Sequence, residues 1–83
     1  MEADLIRQRI QQQLQDGRLP RGDSIELGRG QGIGQRCAGC GETITELQRM
    51  TVRICTADAR TLRLHDECFR VWDTERNLGR DEG

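Results

Sequence analysis

At 83 residues with a net charge of −1, the chain has room for one small domain and no bulk attraction for nucleic acid or anionic lipid. Apolar residues make up 34% and charged residues 33%, with one Phe, one Trp and no Tyr; a core so thin rarely contributes more than about 3–5 kcal/mol, so a staple is expected. The longest apolar run is two residues, which excludes a membrane-spanning helix of roughly 20 residues, and the acid-bearing start MEADLIRQRI resembles neither a secretory leader nor a transit peptide. A cytoplasmic, reducing setting follows as the expectation, with the four cysteines held as metal ligands or free thiols rather than disulfides.

Residues 1–17 form the first unit, with an amphipathic helix expected over 2–16. Ile6, Ile10 and Leu14 recur every fourth residue beside Ala3 and Leu5, giving one narrow apolar face. Glu2 and Asp4 suit the positive end of the helix dipole. Gly17 is placed to end the helix and Pro20 prevents its resumption. Fifteen residues are marginal as an isolated helix, so the stripe is expected to pack on the domain core or on a partner, a second copy of the chain included.

Residues 18–36 read as a Gly-rich linker. The stretch RGDSIELGRGQGIGQR over 21–36 contains only Ile25, Leu27 and Ile33 as apolar residues. Its alternating glycines never match a G-x-G-x-x-G fingerprint, and no Gly-Lys-Ser/Thr follows, so a phosphate loop is excluded.

The chemistry lies in residues 37–79. Cys37-Ala-Gly-Cys40 is a CxxC turn, and His65-Asp-Glu-Cys68 repeats the same spacing after 24 intervening residues. Two thiolates in one pair, with an imidazole and a third thiolate in the other, are a donor set for one closed tetrahedral zinc ion. Thiolates at about 2.3 Å and an imidazole at about 2.0 Å leave no open position, which marks a structural site rather than a catalytic one.

Between the pairs, RMTVRICT over 49–56 alternates Met50, Val52 and Ile54 against Arg49, Thr51, Arg53 and Cys55, and TLRLH over 61–65 resumes the alternation. This predicts a β-hairpin. Pairing Ile54 with Leu62 and Val52 with Leu64 gathers the apolar side chains on one face. That register sets Cys55 opposite Thr61, roughly 13 Å along the strand from His65 at about 3.3 Å per residue, and so excludes Cys55 from the metal. A slipped register returns a Cys-only site with Cys55 replacing His65.

Asp66 to Leu78 reads as a C-terminal helix, capped by Asp66 and ended by Gly79, with residues 80–83 a disordered tail. Cys68 falls in its first turn, where the dipole favours a thiolate. Trp72, one turn on, is placed to cover the metal and fill the core against Leu62 and Leu64.

Knuckle, hairpin and ligand-bearing helix together resemble a treble-clef zinc finger, and the fold class expected is α+β. The string Leu64-His65-Asp66-Glu67-Cys68-Phe69 is similar to the middle of a LIM domain. By that resemblance Cys37, Cys40, His65 and Cys68 correspond to its first zinc site. The likeness covers only residues 37–72, because Arg70 stands where a LIM domain continues with Cys and no second module follows. The chain is also similar to small bacterial proteins in which a helix ending in Gly-Arg-Leu-Pro precedes one CxxC…HxxC module. The LIM resemblance implies protein binding by analogy of fold alone.

A non-catalytic module with one structural Zn2+ and a protein partner, contacted through Ile6, Ile10 and Leu14, is therefore the leading expectation. The second is nucleic-acid or anion binding by Arg49, Arg53, Arg60 and Arg63, with Arg53 opposing Arg63 in the register above. The strands lack aromatic residues for base stacking, which weighs against single-stranded targets. A redox CxxC ranks fourth, since it needs a βαβ context and leaves His65-x2-Cys68 unexplained, and a zinc enzyme ranks third. His65-Asp66-Glu67 matches the H-x-E string of zinc deaminases, but their P-C-x-x-C follows that string, whereas Cys37–Cys40 precedes it without Pro.

Overall fold

A computed structural model describes residues 3–81. In chain order it contains α1 (Ala3–Gln15), β1 (Ser24–Gln31), β2 (Gln35–Arg36), β3 (Thr43–Ile44), β4 (Arg49–Cys55), β5 (Thr61–His65) and α2 (Asp66–Asp81). The architecture is α+β, as expected. An antiparallel sheet of order β1-β4-β5 packs on α2, which packs on α1, and the two-stranded pair β2-β3 meets the sheet at β5.

The apolar stripe of α1 meets α2 and the centre of the molecule, with Ile6, Ile10 and Leu14 all buried. Gly17 ends α1 with φ 78°. Its N–H donates to Leu14 O at 3.3 Å and that of Arg18 to Gln13 O at 2.9 Å, the paired bonds of a Schellman motif. Leu19 then enters the core, and Pro20 O accepts the indole N–H of Trp72 at 3.0 Å. Glu2 lies outside the described residues.

The supposed linker is a strand. Residues 24–31 pair with β4 from Ser24↔Cys55 to Gln31↔Arg49, with a bulge between Glu26 and Gly28. Glycines lower strand propensity, and Ile25 and Leu27 are each 56% exposed. The strand is held through its backbone by β4, so no alternation of buried side chains announces it.

The β4–β5 hairpin is one residue out of the expected register. Ile54 opposes Thr61, Arg53 opposes Leu62 and Thr51 opposes Leu64. The turn accounts for this. The N–H of Cys55 donates to Arg60 O and that of Ala59 to Cys55 O, Ala59 takes φ 60°, and Asp58 Oδ1 accepts the Arg60 N–H. This four-residue loop, with its last residue left-handed, sets Cys55 opposite Arg60.

A one-residue slip exchanges the two faces of a strand. Thr51 and Cys55 therefore point inward with Leu62 and Leu64, while Val52 and Ile54 lie half-buried on the outer face. The polar members of the inward row find partners. Thr51 Oγ1 donates to Asp66 Oδ1 at 3.0 Å. Arg53 donates to Ser24 Oγ and O at 3.0 and 2.8 Å, with its guanidinium 4.5 Å from the Phe69 ring centroid. An Arg stacked on a ring and bonded in this way can face a core.

Helix α2 continues through Gly79 to Asp81, so residues 80 and 81 are helical; residues 82 and 83 of the expected tail lie outside the described residues. Asp66 is the first residue of α2, and its carboxylate accepts from Thr51 and Arg70. Trp72 is fully buried, edge-on to Phe69 at 6.1 Å. No helix is long and apolar enough to cross a membrane among the described residues.

Candidate metal centre

Cys37 and Cys40 sit in the loop that joins β2 to β3, whose pairs Arg36↔Thr43 and Gln35↔Ile44 clamp its ends. Cys37 N–H donates to Glu42 O at 2.9 Å, and Gly41 N–H to Cys37 O at 3.0 Å. Gly41 takes φ 81°, a turn that glycine makes without strain. Ala38 N–H binds Arg63 O at 2.8 Å, fastening the knuckle to the outer edge of β5. Arg9 of α1 reaches Cys40 O at 2.9 Å and Glu42 at 3.1 Å. A Cβ on Gly39 would lie 3.2 Å from Cys68 Cβ and 3.4 Å from Ile10, so glycine lets the knuckle pass closely between both helices.

His65 ends β5 and Cys68 lies in the first turn of α2. The three sulfurs and one imidazole nitrogen of Cys37, Cys40, His65 and Cys68 lie within 4.8 Å of one another, and the three cysteines are buried. Nδ1 of His65 is 3.5 Å from Cys40 Sγ and 3.7 Å from Cys68 Sγ. A tetrahedral ion with bonds of about 2.3 Å to sulfur and 2.0 Å to nitrogen has S···N edges of about 3.5 Å. These residues therefore fit one four-coordinate metal ion.

The imidazole is also oriented for it. Nε2 of His65 lies 2.9 Å from Gln48 Oε1, which accepts the Thr45 N–H at the same distance. An oxygen already accepting one N–H takes a second from the imidazole, so Nε2 carries the proton and the Nδ1 lone pair faces the thiols. Sequence reasoning missed Gln48, which lies 17 residues from His65 and carries no motif.

The thiols differ electrostatically. Cys37 is held far below the usual thiol range, first by the Cys68 hydrogen bond and then by N–H groups of Cys40, His65 and Gly39. Cys68 is pushed up by that same bond, then by burial and the charges of Cys37 and Cys40. Burial is the main cause raising Cys40. The surroundings thus favour a thiolate at Cys37 and disfavour one at Cys40 and Cys68, and a divalent ion would make three thiolates compatible at such separations.

Cys55 is outside the cluster. It is buried opposite Ser24, and its thiol is pushed up by burial and then by Asp58. Its exclusion holds although the register that first argued for it does not.

The four arginines set down as an anion face do not share one. Arg53 is turned inward on Phe69, Arg60 bonds Arg18 O and pairs with Asp58, and Arg63 opposes Val52 on the outer face. Arg49 instead borders a cleft of about 550 Å³ beside Cys40, His65 and Cys68, together with Gln48, Glu67 and Arg70. Ile6, Ile10 and Leu14, expected to meet a partner, are 3%, 0% and 6% exposed within the chain's own core. Burying them on α2 satisfies the stripe internally, which removes this face as a contact surface.

Comparison of the chain with protein-family models, curated proteins and solved structures finds no match.

Proposed function

We propose that the chain is a non-catalytic, zinc-stapled protein-interaction module of treble-clef type, working in a reducing compartment such as the cytoplasm. The carrying observation is the closed donor set. Four ligands converge within 4.8 Å, and they join the knuckle, the end of β5 and the first turn of α2 at one point. Zinc is the ion that three thiolates and one imidazole in a tetrahedron favour. With all four positions taken by protein, no site is left for a zinc-bound water, so the ion's role is to hold the fold. The cysteines are all free, as metal ligands in a reducing setting are.

The partial LIM-like string supports interaction as the use of such a module, by analogy of fold. The nucleic-acid alternative loses its footing because the arginines that were to carry it are dispersed.

Native mass spectrometry of protein expressed without added metal tests the staple, with Cys55→Ser and His65→Ala beside the wild type. One zinc is expected in wild type and Cys55→Ser, and weakened or lost binding in His65→Ala. Zinc that depends on Cys55 and not on His65, or no zinc at all, overturns the reading. Titration with a short DNA duplex at low salt tests the alternative, and salt-sensitive micromolar binding would revive it.

A further inference from the structure

The sheet has two edges and treats them differently. The outer edge of β5 is taken by the knuckle through Ala38 N–H to Arg63 O. Among the described residues no strand pairs with the outer edge of β1, since the sheet order is β1-β4-β5. Natural proteins seldom leave an eight-residue edge open unless it is blunted or used.

Hydrogen bonds at both ends of β1 fix which of its peptide groups face outward. Asp23 O accepts the Thr56 N–H, and Gly32 N–H donates to Gln48 O. With the register of β1 on β4, residues 25, 28 and 30 turn their peptide groups toward β4, and Ser24, Glu26, Arg29 and Gln31 turn theirs outward. The bulge puts Glu26 and Arg29 three residues apart instead of an even number, yet both stay on the inner face.

From this we infer that β1 is the interface of a two-fold dimer, in which it pairs antiparallel with β1 of a second copy. One register satisfies both phase and charge. Centred between Leu27 and Gly28, it opposes Ser24 to Gln31 and Glu26 to Arg29, and symmetry repeats each pair. All four are the outward-facing residues, so every pair exchanges both of its backbone bonds. Ser24 O already accepts from Arg53, and its second lone pair serves the ladder.

Glu26 and Arg29 are exposed and ion-paired to each other within the chain; in the dimer each meets its opposite on the other copy. A slip of two residues sets Glu26 against Leu27 or Gln31 and loses both charge pairs. On the outer face Ile25 lies opposite Gly30, whose missing side chain leaves room for it. A bulge and two charges repel an unrelated strand, whereas a second copy carries the same bulge at the same place and the matching charges.

The inference rests on the interaction-module reading and adds to it the identity of one partner. The test is sedimentation velocity and native mass spectrometry of the zinc-loaded full chain over roughly micromolar to hundreds of micromolar concentration. Wild type is expected to dimerise, weakening about tenfold or more in Glu26→Arg and in Arg29→Glu, each of which opposes like charges twice. The double reversal E26R/R29E is expected to restore it. In the dimer the amide hydrogens of Ser24, Glu26, Arg29 and Gln31 become protected from exchange, while in a monomer they exchange freely.

A wild type that stays monomeric, single reversals that leave the dimer unchanged, or a double reversal that fails to restore it overturns the proposal. The same spectra report zinc content. A zinc-loaded monomer thus refutes the dimer and leaves the module reading standing, whereas a metal-free wild type refutes that reading.

Discussion

Gln48 Oε1 stands 2.9 Å from His65 Nε2, and the backbone N–H of Thr45 holds that oxygen in place at the same distance. The bond locks the imidazole with Nδ1 toward the three sulfurs, so a residue outside the donor set would govern how well a metal ion is held there. Gln48→Ala is expected to weaken zinc binding by about 10–100-fold in a chelator competition. Gln48→Glu keeps an acceptor and is expected to recover most of the loss. Equal affinity in Gln48→Ala and wild type would remove the orienting role.

The hairpin register makes opposite predictions for adjacent residues. Thr51 is fully buried and its hydroxyl binds Asp66, while Val52 is half-buried on the outer face opposite Arg63. Thr51→Lys places an unpaired charge in the core and is expected to prevent folding. Val52→Lys is expected to cost no more than about 1 kcal/mol in chemical denaturation. The apolar pairing read from the sequence alone predicts the reverse order.

What the sequence disclosed and what it hid divide along a physical line. The CxxC and HxxC pairs were legible because ligand spacing within each pair is local, and the end of α1 was legible because Gly17 supplies the left-handed turn that its motif needs. The register was not legible, because the turn that sets it places Ala59, rather than Gly or Asn, at positive φ. An inward Arg53 was hidden for another reason. Its acceptors on Ser24 and its platform on Phe69 come from segments 29 and 16 residues away, so alternation alone read it as solvent-facing. Strand β1 was missed because Gly28 and Gly30 add nothing to propensity and its pairing partner is distant in sequence.

Ala59 offers a direct check of the turn. An L-residue at φ 60° suffers Cβ crowding of roughly 1–2 kcal/mol, and Gly removes it at the expense of a looser unfolded chain. Ala59→Gly is expected to raise the melting temperature of the zinc-loaded protein by a few degrees. Ala57→Gly, in the same loop without a positive φ, is expected to lower it. Equal shifts in both would contradict the left-handed turn.

Arg76 ties the start of β1 to α2. It is almost buried, donating to Asp23 at 3.1 Å and Asp73 at 2.6 Å, with its guanidinium 5.7 Å from the Trp72 ring. Both aspartates are substantially solvent-accessible, so losing their partner strands no buried anion, and the packing on Trp72 is the larger share. Arg76→Ala is expected to destabilise by about 2 kcal/mol and Asp73→Asn by less. Trp72 fluorescence in denaturant titrations would report both, and an equal loss would assign the effect to charge instead.

Metal removal is expected to unfold more than the segment that carries the ligands. Ile10 sits against Gly39 and Arg9 bonds Cys40 O, so α1 is built onto the knuckle, and β1 is held by β4 of the same hairpin. Structural zinc contributes on the order of 10–16 kcal/mol in zinc-finger peptides at neutral pH, more than a core this small supplies. Chelation is therefore expected to abolish the helical circular dichroism of both helices in one transition, and survival of α1 alone would contradict it. The pH dependence has a definite sign. Cys40 and Cys68 are pushed up in the metal-free site and bind zinc only as thiolates, so loading must expel their protons. Affinity is expected to rise with pH between about 6 and 8, and loading in weak buffer to acidify the solution. A pH-independent affinity would mean that the thiols are already ionised before the metal arrives.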